Sequence, residues 1–284
     1  MKVILASMNQ IGVPALDALA ENRQVEVVGL FTPRERGRLY MDVLDFTELA
    51  ARLKVPVFKI EDINSKETEA QIRALRPDVG FSLGWKQIIK ERIFTIPPQG
   101  WIGGHPARLL MPGENSDPTV LSAAGNEPMN YAILGGYAKT GMTLMWVKSK
   151  IDAGEIFARG DVEIDAEHET VRTLLGKIAR TTGELLRANL PALVAGKPPR
   201  IPQQLAENQP YMKPIKADDN RIDPAAPAEQ TYRLIRSCIY PYPNAFIEFH
   251  GQRIYVEHAR IENGVFGELR VRAGGSPWAR PVAA

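Results

Sequence analysis

At 284 residues with 44% hydrophobic content, the chain can bury a sizeable core and falls between one large domain and two, at the usual allowance of about 150 residues each. Its formal net charge is +2, from 35 basic and 33 acidic residues, and the Lys and Arg are scattered, so no basic stripe of the kind that tracks a phosphate backbone is present and nucleic acid is not the expected partner. Cys238 is the single cysteine, which excludes an intramolecular disulfide and a cysteine-rich zinc site, and no stretch approaches the roughly 18 apolar residues of a membrane helix.

In chain order, Lys2 to Ala6 reads as a buried strand and Val13 to Ala20 as a helix packed on it, with Val13, Leu16, Leu19 and Ala20 at helical spacing. The first apolar run is too short for a signal peptide, so a cytoplasmic protein is expected. Val25 to Phe31 follows as a strand, Phe46 to Leu53 as a helix, Pro56 to Ile60 as a strand, Lys66 to Leu75 as a helix and Asp78 to Leu83 as a buried strand. That alternation predicts an α/β fold with a parallel sheet covered on both faces. The first strand-to-helix turn, Ser7-Met8-Asn9-Gln10-Ile11-Gly12, holds one glycine and lacks the G-x-G-x-x-G spacing of a dinucleotide site. Thr143 to Val147 and Glu155 to Ile164 are expected to complete the sheet. Thr170 then caps a long helix to about Val194, whose stripe is Val171, Leu174, Leu175, Ile178, Leu185 and Leu186. Gly196-Lys197-Pro198-Pro199 opens a linker that reaches Pro214, and the tail holds a helix from Pro227 to Cys238, three short strand-like runs and a Pro- and Gly-rich end after Gly274 that reads as frayed. The expected division is 1–200 and 201–284.

Four segments carry chemistry: Gly100-Trp101-Ile102-Gly103-Gly104-His105-Pro106, then Pro128 to Leu134, then Thr140-Gly141-Met142-Thr143, then Asp152-Ala153-Gly154-Glu155-Ile156. With Asp218-Asp219-Asn220-Arg221-Ile222-Asp223 and Tyr240-Pro241-Tyr242-Pro243-Asn244-Ala245-Phe246 in the tail, they resemble the 10-formyltetrahydrofolate-dependent formyltransferases over nearly the whole chain. The resemblance implies a Rossmann-like parallel-sheet catalytic domain followed by a small C-terminal β-rich domain, and 10-formyltetrahydrofolate as co-substrate with no metal. It also implies His105 as proton acceptor for an attacking amine, which suits an imidazole titrating near neutral pH, and Asp152 as its electrostatic partner. Leu83, Gly84, Trp85, Thr140 and Gly141 are the residues expected to hold the folate.

The family usually carries Asn two residues before the His to donate to the developing oxyanion, and here that position is Gly103. Loss of such a donor costs about a hundredfold to a thousandfold in rate. The candidate replacements are the backbone amides of Gly103 and Gly104 and the side chains of Asn115, Asn126 and Asn130. Between Pro106 and Pro128 the chain is longer than the family pattern by roughly a dozen residues, which reads either as a surface insertion or as a lid supplying the missing amide. The segments Asp45 to Ala50 and Val55 to Phe58 are similar to the sugar N-formyltransferase branch, so the expected acceptor is a nucleotide-linked amino sugar. Arg34, Arg36 and Arg38 only partly match the basic loop of the methionyl-tRNA enzymes. Methionyl-tRNA formyltransferase, a hydrolase of formyl-folate and a non-catalytic folate-binding relative stay open as alternatives, and sugar-branch resemblance implies a homodimer through the C-terminal region.

Overall fold

The computed structural model describes residues 1–34, 43–204, 211–262 and 265–277. Arg36 and Arg38, the middle of the linker and most of the end read as frayed lie outside the described residues. The strands of the first part are β1 (Lys2–Ala6), β2 (Glu26–Pro33), β3 (Val57–Ile60), β4 (Val79–Ser82), β5 (Trp101–His105), the two-residue β6 (Ala124–Gly125), β7 (Lys139–Trp146) and β8 (Ile156–Glu163). Between them run α1 (Gly12–Glu21), α2 (Thr47–Leu53), α3 (Lys66–Leu75), α4 (Glu91–Phe94) and α5 (Pro128–Leu134), and α6 (Val171–Val194) follows. The second part holds β9 (Tyr211–Met212), α7 (Ala228–Ser237), β10 (Ala245–Phe249), β11 (Gln252–Glu262) and β12 (Val265–Ala273).

Seven strands form one sheet in the order β3-β2-β1-β4-β5-β7-β8. The first five are parallel, whereas β7 runs antiparallel to β5 and to β8. The sheet is thus mostly parallel with an antiparallel margin, and it departs from the all-parallel expectation because the chain between β5 and β7 returns without a crossover onto the same edge. Strand alternation places Val3 and Leu5 in one apolar layer with α1 and α6, and Ile4 and Ala6 in the other with Phe31, Ile72 and Trp101. Each fully buried Leu or Phe of these layers contributes about 1.5–3 kcal/mol. Thr170 caps α6 as read from the sequence: its hydroxyl accepts from the Thr173 amide at 3.2 Å, and the Thr173 hydroxyl accepts from the Thr170 amide at 2.9 Å. The three tail strands make a small antiparallel sheet, packed through Val256 and Ala259 on Ile235 of α7 and on Cys238 just after it. Among the described residues, no helix is long and apolar enough to cross a membrane.

The sheet's strand order reverses at β1, whose neighbours are β2 and β4. Ligands of open parallel sheets bind outside the carboxyl ends of the strands at such a reversal, and the ends of β1, β4 and β5 converge there.

Candidate active site

At those strand ends lies a cleft of about 440 Å³, lined among others by Asn9, Gly84, Trp85, His105, Asn126 and Asp152. His105 closes β5 and is 5% exposed. Its Nε2 lies 2.8 Å from the Ala123 carbonyl oxygen. A carbonyl only accepts, so Nε2 carries a proton and, in the neutral ring, Nδ1 keeps its lone pair. Nδ1 faces Asp152 Oδ2 at 3.7 Å, close enough for charge attraction once the ring is protonated and too long for a hydrogen bond. Asp152 Oδ2 accepts the Gly125 amide at 3.0 Å, and its backbone sits in the left-handed region at φ 51°. Asp tolerates that region better than most residues. Two residues on, a Cβ at position 154 would run into the Trp146 carbonyl, so glycine is required there for the turn that presents the carboxylate.

The structure brings His105, Asp152, Gly103, Gly104, Gly84, Trp85 and Asn126 to this cleft. Others of the sequence expectation lie elsewhere. Leu83 is fully buried in the sheet core with Phe81 and Ile102. Thr140 and Gly141 stand inside β7 rather than in a loop: Thr140 is fully buried, and the space beside Gly141 is taken up by Arg108 and the Gly160 carbonyl. The member of that motif that matters here is Thr143, paired with His105 across the β5–β7 ladder. Its hydroxyl donates to the Ala107 carbonyl at 2.7 Å and accepts from the Leu109 amide at 3.1 Å, which fixes the chain just after His105.

The oxyanion candidates divide in the same way. Asn115 is exposed on the insertion, away from the cleft. Asn130 is 1% exposed and donates to the Ser237 carbonyl at 2.7 Å, so it ties α5 to α7. Gly103 and Gly104 lie between β4 and β7, and strand amides point along the sheet into its ladders, not out of its end. Asn126 lines the cleft, with its amide 3.3 Å from the Met212 carbonyl. The insertion is tied to the sheet rather than left free over the cleft. Glu114 accepts from Arg108 at 2.9 Å, from Arg159 at 2.6 and 2.7 Å and from the Met111 amide at 2.8 Å, which pins the segment against β8. The Arg159 guanidinium, first among these partners, holds the Glu114 carboxyl down at about 2. The insertion reaches the cleft through its end, where Gly125, Asn126 and Glu127 line it and the Ala123 carbonyl meets His105.

Two polar residues of the cleft were not read from the sequence. Asn9, after β1, accepts the Ile11 amide on Oδ1 at 3.1 Å, and no partner is bonded to its amide nitrogen among the described residues. Gly84 (φ 66°) turns directly beneath Asn9, where any Cβ would overlap the Asn9 side chain. Glu127 has φ 51° and accepts the Ile215 amide at 2.8 Å, so it straps β9 and the following chain across the cleft. Burial raises its carboxyl pKa. Neither residue belongs to a recognisable spacing.

The arrangement suits proton removal from an amine brought to the cleft. The first 190 residues match the family described as Formyl transferase, and residues 214–274 match its C-terminal domain. A methionyl-tRNA formyltransferase of Bacillus cereus is 31% identical over 259 residues, covering 90% of this chain and 78% of that one. The Bacillus mycoides enzyme is 32% identical over the same shares. Among solved structures, methionyl-tRNA formyltransferase from Clostridium thermocellum superposes with a TM-score of 0.66 at 19% identity, over 96% of this chain and 98% of that one. An N-formyltransferase from Helicobacter canadensis, in complex with folinic acid and dTDP-3-aminofucose, gives 0.63 at 15% identity, over 90% and 88%. The chain therefore belongs to the folate-dependent formyltransferase family, and it is a formyltransferase enzyme.

Proposed function

We propose that the protein moves the formyl group of 10-formyltetrahydrofolate to the amine of a small acceptor, a nucleotide-linked amino sugar. The observation that carries the chemistry is the His105 ring, fixed as the Nε2–H tautomer by the Ala123 carbonyl with Nδ1 turned to Asp152. The residues at the cleft fit the folate: the Trp85 indole N–H is buried without a partner, and Ile88 stands 64% exposed on the wall. Gly84 and Trp85 are the residues assigned to holding the pterin. The folate supplies the formyl carbon. His105 Nδ1 takes the proton from the amine as its nitrogen bonds to the formyl carbon, the Asp152 carboxylate stabilises the imidazolium that results, and that proton passes to the folate nitrogen as its bond to the formyl carbon breaks and tetrahydrofolate leaves. The side-chain amides of Asn9 and Asn126, both lining the cleft, are assigned as donors to the formyl oxygen in place of the Asn that Gly103 replaces.

The small acceptor is supported by the way surface charge is spent. Arg108, Arg159, Arg187, Arg200 and Arg272 are each paired with a carboxylate, and the lysines at the mouth without an ion pair among the described residues are Lys86 and Lys150. Two such cations in a cleft that Trp85 and Tyr242 also line match a nucleotide better than a long polyanion. Methionyl-tRNA is the second reading, favoured by the activity of the Bacillus relatives. Tetrahydrofolate release, assayed with a panel of nucleotide-linked amino sugars and with methionyl-tRNA, decides between them. Turnover with a sugar amine is expected; turnover with the tRNA alone would replace that acceptor. Formate release without any amine would instead make the enzyme a hydrolase.

A further inference from the structure

A second cavity, of about 510 Å³, lies where the C-terminal part meets the first domain. Glu127 and Met129 at the start of α5 line the catalytic cleft, whereas Ile133, Gly136 and Tyr137 at its end line this one. A seven-residue helix separates the two by about 10 Å. The far walls are α7, β11 and the turn at 164–168.

Three guanidinium groups face the cavity. Arg236 of α7 is 5% exposed. Its Nη1 donates to the Glu169 carbonyl and its Nη2 to the Ala166 carbonyl, each at 2.9 Å, and its Cζ lies 4.6 Å from the centre of the Tyr232 ring. Its Nε is buried and makes no hydrogen bond, and among the described residues no carboxylate pairs with it. Burial lowers its pKa, and the more distant carboxylates Glu229 and Asp165 offset that only in part. Arg233 Nε bonds Glu229 at 2.9 Å, while its terminal nitrogens lie over Gly136. Arg260 reaches in from β11 and pairs with Glu262. Glu229 and Glu167 also line the cavity, both exposed, and Glu229 is already engaged by Arg233.

We propose that this cavity is an anion site for the phosphate group of a small phosphorylated molecule, gripped by Arg233 and Arg260 over the buried charge of Arg236. Guanidinium forks match phosphate oxygens in pairs, and three of them offer more donors than a carboxylate accepts. The volume is that of a small-molecule site. The exposed Glu167 and Glu229 oppose a nucleic-acid strand, which would bring a row of charges past them, and tolerate a single phosphate. An anion here compensates Arg236 and clasps α7 and β11 to the first domain, so it should stabilise the fold.

The test uses inorganic pyrophosphate as probe, by calorimetric titration and thermal unfolding, with sodium chloride at matched ionic strength as control. The wild type is expected to bind pyrophosphate and to unfold about 3 °C higher at ten times its Kd. Replacing the partly exposed pair, Arg233→Ala with Arg260→Ala, should weaken that binding at least tenfold and leave 5-formyltetrahydrofolate binding in the catalytic cleft unchanged. Stabilisation no greater than that from chloride, or undiminished binding in the double variant, would overturn the site. A short single-stranded RNA that binds more tightly than pyrophosphate and displaces it would overturn the small-molecule assignment.

Discussion

His105 illustrates how a single contact selects a chemical role. The Ala123 carbonyl leaves only Nδ1 free to accept a proton, and Asp152 stands where the resulting charge is stabilised. His105→Asn should lower kcat by about a hundredfold to ten-thousandfold, and Asp152→Asn should act in the same direction, both with an unchanged unfolding temperature; undiminished turnover in both variants would remove the mechanism. The oxyanion donor can be located by comparing Asn9→Ala with Asn126→Ala, since the true donor should cost about a hundredfold in kcat with little change in KM. At position 103 a Cβ would meet Val147 at 3.2 Å, a contact that a small side-chain shift relieves. Gly103→Asn is therefore expected to fold and to raise kcat about tenfold or more if its amide reaches the cleft. His105 and Asp152 were legible because each stands in a short motif whose order is informative. Asn9 was not, because its position depends on the left-handed turn at Gly84, far away in sequence.

At the scale of elements, α6 was readable almost to the residue, because its apolar stripe and its Thr170 cap are local signals. Thr170→Ala should cost about 1 kcal/mol, and Leu186→Ala, a fully buried position, about 2–5 kcal/mol, both readable by denaturant titration. The direction of β7 was not readable, since a period-two apolar pattern is the same in either direction. Its start was not readable either: the strand was expected from Thr143 and begins at Lys139, which puts Thr140 and Gly141, assigned to the folate by resemblance, within the sheet. The insertion is held by Glu114, whose partner Arg159 lies on another element and leaves no mark on local sequence. Its carboxyl pKa is lowered from 4.5 to about 2 on folding. The stabilisation is thus complete above the unfolded value and is lost as pH falls from about 4.5 toward 2. Glu114→Gln should flatten the stability profile across that window, as measured by unfolding at stepped pH.

For the whole molecule, the mostly parallel sheet and the small C-terminal antiparallel sheet were legible from strand–helix alternation and from the tail's motifs, but the seam between them was not. Asn130 to Ser237, Tyr232 to Glu167 and Arg236 to the turn before α6 join groups up to 107 residues apart. Such pairings follow from tertiary docking alone. Because most described arginines are neutralised by nearby carboxylates, catalysis on a small acceptor should depend only weakly on ionic strength, whereas a tRNA acceptor would impose a steep loss between 50 and about 200 mM salt. The most direct measurement is calorimetric titration of 5-formyltetrahydrofolate, a stable stand-in for the formyl donor, into the wild type and into Trp85→Ala. Binding near micromolar strength that weakens at least tenfold in the variant is expected. Absence of binding, or equal binding by both proteins, would contradict the assignment of this cleft as the folate site.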